Sequence, residues 1–175
     1  FGLVAAIVYF CSTANYAFPG ASAHLMALWK GLVSGEAASD PFMAVFAKLL
    51  GGGNLIAPIC GTIAVVTFFH LVYAFVAWRV RNENMVFRRN RIALIAAITA
   101  TSVFLLTPAV RAAATHLEPR MFDFTWALAC LALALPFFRL SKGLSILFPV
   151  LLGVMVALGL CDSALYIAFM PFYLV

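Results

Sequence analysis

The residues of this chain that could do acid or base chemistry gather between its first two apolar stretches. His24, Glu36 and Asp40 lie within residues 19–53, which read PGASAHLMALWKGLVSGEAASDPFMAVFAKLLGGG. A neutral imidazole or a carboxylate can take a proton from an acceptor hydroxyl, so these three side chains are the candidate catalytic groups. Simpler interpretations stay open: Asp40 precedes Pro41 and suits a helix N-cap, and His24 suits a polar position at a membrane surface.

A second set of residues could bind the phosphate of a lipid. Arg111, Arg120 and Lys48 flank apolar stretches, and arginine in particular offers a planar fork of donors to phosphate oxygens. The alternative is that these basic side chains extend to the membrane surface without a ligand. For Arg111 a further alternative is an ion pair with Glu118 or Asp123.

Two more ionisable residues lie in or beside apolar segments. His70 falls deep in the second apolar segment and Asp162 ends the fifth. Intramembrane ionisable side chains face protein or a cavity, which makes His70 a functional candidate, although a carbonyl or hydroxyl of a neighbouring helix would also satisfy it. Asp162 suits a site residue and an interfacial carboxylate equally well.

The amino-acid composition indicates whether these residues lie in a water-soluble protein or in a membrane protein. Hydrophobic residues make up 66% of the chain, charged residues only 10%, and the mean hydropathy is +1.09. Too few charges are available to cover the apolar surface of a water-soluble domain, so the sequence predicts an integral membrane protein. The basic residues lie in loops that flank apolar runs, a pattern that indicates membrane orientation and no nucleic-acid partner.

The apolar runs predict an all-α, polytopic bundle of transmembrane helices. Each run approaches the roughly 20 residues that a bilayer core requires and is apolar on all sides, without the alternation of barrel strands. Residues 1–175 are expected to form one transmembrane domain, and because Phe1 lies inside an apolar run we expect a fragment of a longer chain. The path of residues 163–175 stays open. The five predicted spans are residues 1–18, 54–78, 92–110, 121–138 and 144–162.

Arginines predict the orientation of these spans. Residues 79–91 contain five arginines and one acid, and residues 139–143 contain two basic residues and no acid, so both loops are expected in the cytoplasm. Residues 19–53 and 111–123, where the charges balance, are then expected outside.

The first outer loop is predicted to contain two amphipathic surface helices. Ser22 suits the N-cap of the first, whereas the second begins at Asp40 and Pro41 and ends at Gly51–Gly53. Each carries apolar residues at helical spacing. These stripes are Leu25, Leu28, Trp29 and Leu32 in the first helix and Phe42, Val45, Phe46 and Leu49 in the second.

The cysteines and glycines predict neither a metal site nor a nucleotide site. Cys11, Cys60, Cys130 and Cys161 are widely spaced within apolar stretches and are expected to be buried packing residues. The Gly51–Gly53 run lacks the lysine of a phosphate-binding loop. No cofactor is therefore predicted, although a catalytic carboxylate leaves room for a divalent metal.

The order of these elements resembles the GT-C glycosyltransferases, in which a long outer loop with two surface helices follows the first span. Residues 20–27 (GASAHLMA), 40–42 (DPF) and 46–50 (FAKLL) are similar to the first outer loop of bacterial protein O-mannosyltransferase-like proteins. The resemblance implies an enzyme of the bacterial inner membrane that transfers a sugar from a polyprenyl-phosphate donor at the outer face. Ala21 and His24 stand where that family's pattern has acids, so the alternative is a non-catalytic membrane scaffold or a transporter subunit.

Overall fold

The computed structural model describes most of the chain as helix. The described residues are 1–13, 27, 41–49, 55–80, 86–116, 119–139 and 147–162, and at some helix ends only the backbone is described. They form seven helices and no strand, which confirms the predicted all-α class for this part of the chain. The helices are α1 (Gly2–Ser12), α2 (Pro41–Leu49), α3 (Ile56–Arg79), α4 (Val86–Leu106), α5 (Pro108–Thr115), α6 (Pro119–Arg139) and α7 (Leu147–Asp162).

Each predicted span overlaps at least one of these helices, and two of the helices meet the length and composition of a membrane span. These are Ile56–Arg79, with a mean hydropathy of 2.1 over its most apolar 18 residues, and Arg88–Leu106, with 1.4. The shorter apolar helices are Gly2–Ser12 and Pro149–Leu160. Two helices thus support association with a membrane, and the arrangement of five spans stays a prediction.

The chain breaks its helix within the predicted third span. Helix α4 ends at Leu106, Thr107 is extended (φ −61°, ψ 123°), and α5 starts at Pro108. A proline disfavours helical backbone in the residue before it but suits the first turn of a new helix, which explains the break. Helix α4 therefore ends before the predicted end of span 92–110, and most of residues 111–123 are helical, in α5 and α6. The position of residues 111–123 outside the membrane stays a prediction.

Helix α3 lies at the centre of the bundle and packs against α1, α4, α5 and α6. Helix α1 runs antiparallel to it, with Gly2 beside Val66 and Tyr9 beside Gly61. A Cβ atom added at Gly61 would lie 2.5 Å from the Cβ of Ala114 and 2.9 Å from the Tyr9 ring. Glycine at this position therefore allows α1 and α5 to approach the backbone of α3 closely.

The outer surface of the bundle is apolar. Leu3, Ile95, Val103 and Leu106 each expose more than 60% of their surface. Such side chains suit a hydrocarbon solvent better than water, in agreement with the composition of the chain.

The exposure of one cysteine corrects the prediction that every cysteine is buried. Cys60 and Cys130 are buried, Cys11 is exposed on the outer side of α1, and the side chain of Cys161 is not described.

Helix α2 confirms that a helix follows Asp40 and ends before Gly51, but its apolar stripe differs from the prediction. Met43 is fully buried and Phe46 partly buried, whereas Val45 and Leu49 are 55% and 76% exposed. In an apolar environment the outward side of a helix has no need to be polar, so the buried side cannot be recognised from apolar spacing alone. The predicted first surface helix lies outside the described residues, apart from Ala27.

Helix α7 packs against α6 and α2. Cys130 and Ala134 of α6 form a small buried cluster with Leu152 of α7. The indole Nε1 of Trp126 donates a hydrogen bond of 2.8 Å to the backbone oxygen of Met155. An apolar contact and a polar contact therefore both join α7 to the bundle.

Candidate functional site

The starts of α3 and α6 lie together with α5 at one end of the bundle. The hydroxyl of Thr125 on α6 is 3.0 Å from the Cys60 oxygen on α3 and 2.7 Å from the Met121 oxygen of its own helix, so it joins the two helices. Ala114 of α5 meets α3 at Gly61. We call this region the α5 end; it comprises α5, Tyr9 of α1, residues 56–63 of α3 and residues 119–129 of α6.

An apolar crevice of about 300 Å³ lies at the α5 end, between α2, α3 and α6. Ile63, which is 46% exposed, lies at its rim, so the crevice opens on the outside of the bundle. Its volume is at the lower limit of ligand pockets, which span roughly 300–1,000 Å³. The lining residues are Phe46 of α2, Ile56, Ile59, Cys60 and Ile63 of α3, and Phe122, Thr125, Trp126 and Ala129 of α6.

Three aromatic rings form one side of this crevice. The ring centroids of Phe46 and Phe122 are 5.5 Å apart, those of Phe46 and Trp126 are 6.0 Å apart, and those of Phe122 and Trp126 are 6.2 Å apart. These separations are typical of favourable aromatic pairs. The Thr125 hydroxyl is already engaged by backbone oxygens, so an occupant of the crevice would be recognised by apolar contact.

Tyr9 and Arg111 lie on the neighbouring side of α3 at the α5 end. Tyr9 is fully buried and Arg111 is exposed. Arg111 precedes Ala114 by one helical turn, and its positive charge is close enough to act on the Tyr9 hydroxyl. No ion pair joins Arg111 to Asp123 within the described part of the chain, and Glu118, the other partner considered for Arg111, lies outside the described residues.

Asp123, which the sequence offers as an ion-pair partner of Arg111, is a further functional candidate. The structure leaves it 8% exposed in the first turns of α6, where it has an interaction partner. Carboxylates buried near a site are candidates for acid and base chemistry. The sequence signal was present, because Asp123 is the one charged residue within Met121–Cys130 and has phenylalanine on both sides.

The other predicted basic residues fall into two groups. Arg120 is exposed at the start of α6, at the α5 end, as is Arg111 on α5. Lys48 lies on α2, which contributes Phe46 to the crevice, but its side chain is not described. The structure thus brings two arginines to the end of the bundle where the crevice lies.

The predicted catalytic residues His24, Glu36 and Asp40 lie outside the described residues. Helix α2 begins at Pro41, directly after Asp40, which agrees with a helix start at this point. The structure therefore leaves the catalytic assignment of these three residues as a prediction.

The two remaining ionisable candidates do not belong to the α5 end. His70 lies nine residues after Gly61, or about 13 Å further along α3. Its side chain is exposed on the bundle, and a functional role for it stays a prediction. Its neighbours one and two turns earlier, Val66 and Ile63, are also exposed and form an outward side of α3. Asp162 ends α7, and its side chain is not described.

Comparison of the chain with protein-family models, with curated proteins and with solved structures finds no match. Within the part of the chain that the structure describes, no group of three His, Cys, Asp or Glu side chains is placed to hold a metal ion. Any functional conclusion must therefore come from the α5 end itself: an apolar crevice, two exposed arginines, a buried tyrosine and a buried carboxylate.

Proposed function

We propose that this chain belongs to an enzyme of the bacterial inner membrane that transfers a glycosyl group from a polyprenyl-phosphate donor to an acceptor at the outer face. The observation that supports this function is the apolar crevice at the end of the bundle that also carries exposed Arg111 and Arg120. A polyprenyl phosphate combines an apolar chain with an anionic head, and these are the two chemistries that the α5 end offers.

The proposed transfer is a substitution at the sugar's anomeric carbon. The acceptor oxygen forms a bond to this carbon while the bond from the carbon to the phosphate oxygen breaks, and the phosphate leaves with the bonding electrons. The arginines stabilise the charge that develops on the leaving phosphate. A base takes the proton of the acceptor hydroxyl.

The base is assigned to the predicted outer loop that leads into α2. Asp40 and His24 are the first candidates there, followed by Glu36. Asp123 is a further candidate, because it is a buried carboxylate one residue after Phe122, which lines the crevice. Four side chains are therefore candidates for the base, and single substitutions distinguish them.

A non-catalytic lipid-binding scaffold is the second candidate function. The crevice favours it, because an apolar cavity can hold a lipid chain without any catalytic group. A transporter subunit is less well supported, since several hydroxyls that would line a polar path donate instead to oxygens of their own helices. These bonds are Thr62 to Pro58, Thr99 to Ile95, Ser102 to Ile98 and Thr107 to Val103.

A turnover assay on the full-length protein in lipid nanodiscs separates the two functions. The donors are a panel of polyprenyl monophosphate and diphosphate hexoses, and donor loss is followed by mass spectrometry. If the protein is the enzyme, we expect the parent to consume donor and Arg111→Gln to lower the rate about 100-fold. One of four further variants should lower the rate by a similar factor, because it removes the base. These variants are Asp40→Asn, His24→Ala, Glu36→Gln and Asp123→Asn. Arg79→Gln, at the opposite end of α3, is the matched control.

Two results would contradict this proposal. Unchanged turnover in Arg111→Gln and in all four candidate base variants would show that the assigned residues do not perform the reaction. A parent protein that binds polyprenyl phosphate but consumes no donor would favour the scaffold.

A further inference from the structure

Tyr9 carries a polar atom that the fold does not use. The residue is 0% exposed, and its hydroxyl has no hydrogen-bond partner among the described residues. Buried tyrosine hydroxyls usually have a partner, because removing one from water without replacing its hydrogen bonds is unfavourable. A phenylalanine would make the same ring contacts without this cost. The Tyr9 hydroxyl therefore indicates a partner that is not part of the described helices.

The surroundings of Tyr9 indicate the charge of that partner. The ring packs on α3 at Gly61, and the same glycine meets Ala114 of α5. Arg111 lies one turn before Ala114, is exposed, and has no ion-pair partner in the described part of the chain. A hydroxyl donor near a guanidinium attracts an anion and repels a cation.

We propose that the Tyr9 hydroxyl and the Arg111 guanidinium together bind the phosphate group of a phosphate ester. Tyr9 donates one hydrogen bond to a phosphate oxygen, and Arg111 donates charge-assisted hydrogen bonds to the others. The Tyr9 hydroxyl is covered in the described state, so a ligand reaches it only after neighbouring side chains move. This assignment adds Tyr9 to the proposed function as a positioning residue and rests on that function for the lipid identity of the ester.

Tyr9→Phe provides the test, because it removes only the hydroxyl. The full-length protein in nanodiscs is tested for binding of a polyprenyl monophosphate, inorganic phosphate and an uncharged polyprenol, and its Tm is measured without ligand. We expect Tyr9→Phe to keep or raise the Tm, since no hydrogen bond of the fold is lost, and to weaken polyprenyl monophosphate binding about 10-fold. Tyr73→Phe, on α3, is the matched control and should leave binding unchanged.

Arg111→Gln is the companion variant, with Arg79→Gln as its control. We expect Arg111→Gln to weaken phosphate binding by at least as much as Tyr9→Phe. The double variant should lose less than the two single effects combined, because both side chains hold the same phosphate. The three ligands identify the source of the phosphate. Binding of the polyprenyl monophosphate alone indicates a lipid head, whereas equal binding of inorganic phosphate indicates a soluble ligand.

Three outcomes would overturn the proposal: unchanged phosphate affinity in Tyr9→Phe, a lower Tm in Tyr9→Phe than in the Tyr73→Phe control, or equal binding of polyprenol and polyprenyl monophosphate. The second would show that the hydroxyl has a partner within the fold. Donor turnover that persists while Tyr9→Phe leaves affinity unchanged would refute only this phosphate site. Loss of affinity in Tyr9→Phe without turnover in the parent protein would refute only the glycosyl transfer.

Discussion

The hydroxyl of Thr125 on α6 lies 3.0 Å from the backbone oxygen of Cys60 on α3, and this hydrogen bond joins the two helices that line most of the crevice. Thr125 is 6% exposed, so water does not compete for the bond. The same hydroxyl lies 2.7 Å from the Met121 oxygen of its own helix, as other threonine and serine hydroxyls of the described helices do, and in addition it reaches a second helix. The Thr125 bond therefore helps to fix the width of the crevice.

Thr125→Val is predicted to lower the free energy of unfolding by about 1 kcal/mol, because valine keeps the shape of the side chain and removes the donor. Thr101→Val is the matched control: Thr101 is 0% exposed, and its hydroxyl has no partner among the described residues, so its loss should leave stability unchanged or higher. Equilibrium unfolding in mixed micelles measures both. Equal destabilisation by the two substitutions would contradict the role given to Thr125.

Gly61→Ala is predicted to destabilise the bundle by roughly 1–3 kcal/mol, because the new methyl group would overlap Ala114 and the Tyr9 ring. Gly153→Ala on α7 should have the opposite sign and stabilise by about 0.5–1 kcal/mol, since a Cβ there meets no atom within 4 Å. Thermal unfolding of the two variants beside the parent checks the signs. A destabilised Gly153→Ala would show that α7 has a neighbour at this position.

Trp126→Phe is predicted to loosen α7 from α6, at a cost of about 1 kcal/mol, because it removes the hydrogen bond to the Met155 oxygen. Trp78→Phe, at an exposed position on α3, is the control and should have little effect. Hydrogen exchange followed by mass spectrometry should show faster exchange in residues 147–162 of Trp126→Phe. Unchanged exchange in that segment would show that apolar packing alone holds α7.

Ala129→Trp is predicted to fill part of the crevice and to weaken polyprenyl monophosphate binding at least 10-fold, in line with roughly 1–3 kcal/mol for overpacking an apolar site. Ala157→Trp, on the exposed side of α7, is the control of matched size. Binding is measured in nanodiscs with the same lipid. If Ala129→Trp folds and binds normally, the lipid chain lies somewhere other than this crevice.

Cys11 is predicted to react with a maleimide in the folded protein in detergent, whereas Cys60 and Cys130 should react only after unfolding. The difference follows from access, because Cys11 lies on the outer side of α1 and the other two are buried between helices. Cys161→Ser removes the cysteine whose side chain is not described. Labelling of Cys130 in the folded state would contradict the packing of α7 against α6.

The sequence predicted the elements that depend on local chemistry and missed those that depend on contacts between helices. Apolar runs and the Asp40–Pro41 pair were sufficient for the helical class and the start of α2. The break at Thr107 was missed although Pro108 marked it, because the surrounding residues are as apolar as those of a continuous span. No single segment of the sequence predicts the crevice, because residues of three helices line it.

Tyr9 illustrates the same limit at the level of one atom. A tyrosine within an apolar run is an ordinary packing residue by sequence, and the ring does pack in that way. Its unpartnered hydroxyl and the nearby Arg111 become visible only when α1, α3 and α5 meet at Gly61. Asp123 differs, because the phenylalanines on both sides of it in the sequence already indicated its burial.

Cys60 and Gly61 are consecutive on α3, yet the first lines the crevice and the second contacts Tyr9. One rigid turn of helix thus forms a common wall between the proposed places for a lipid's tail and its phosphate. A chain that enters the crevice and displaces this wall also displaces the backbone on which the Tyr9 ring rests. The length and thickness of the hydrocarbon chain would then influence how firmly the phosphate is held, without the participation of a mobile loop.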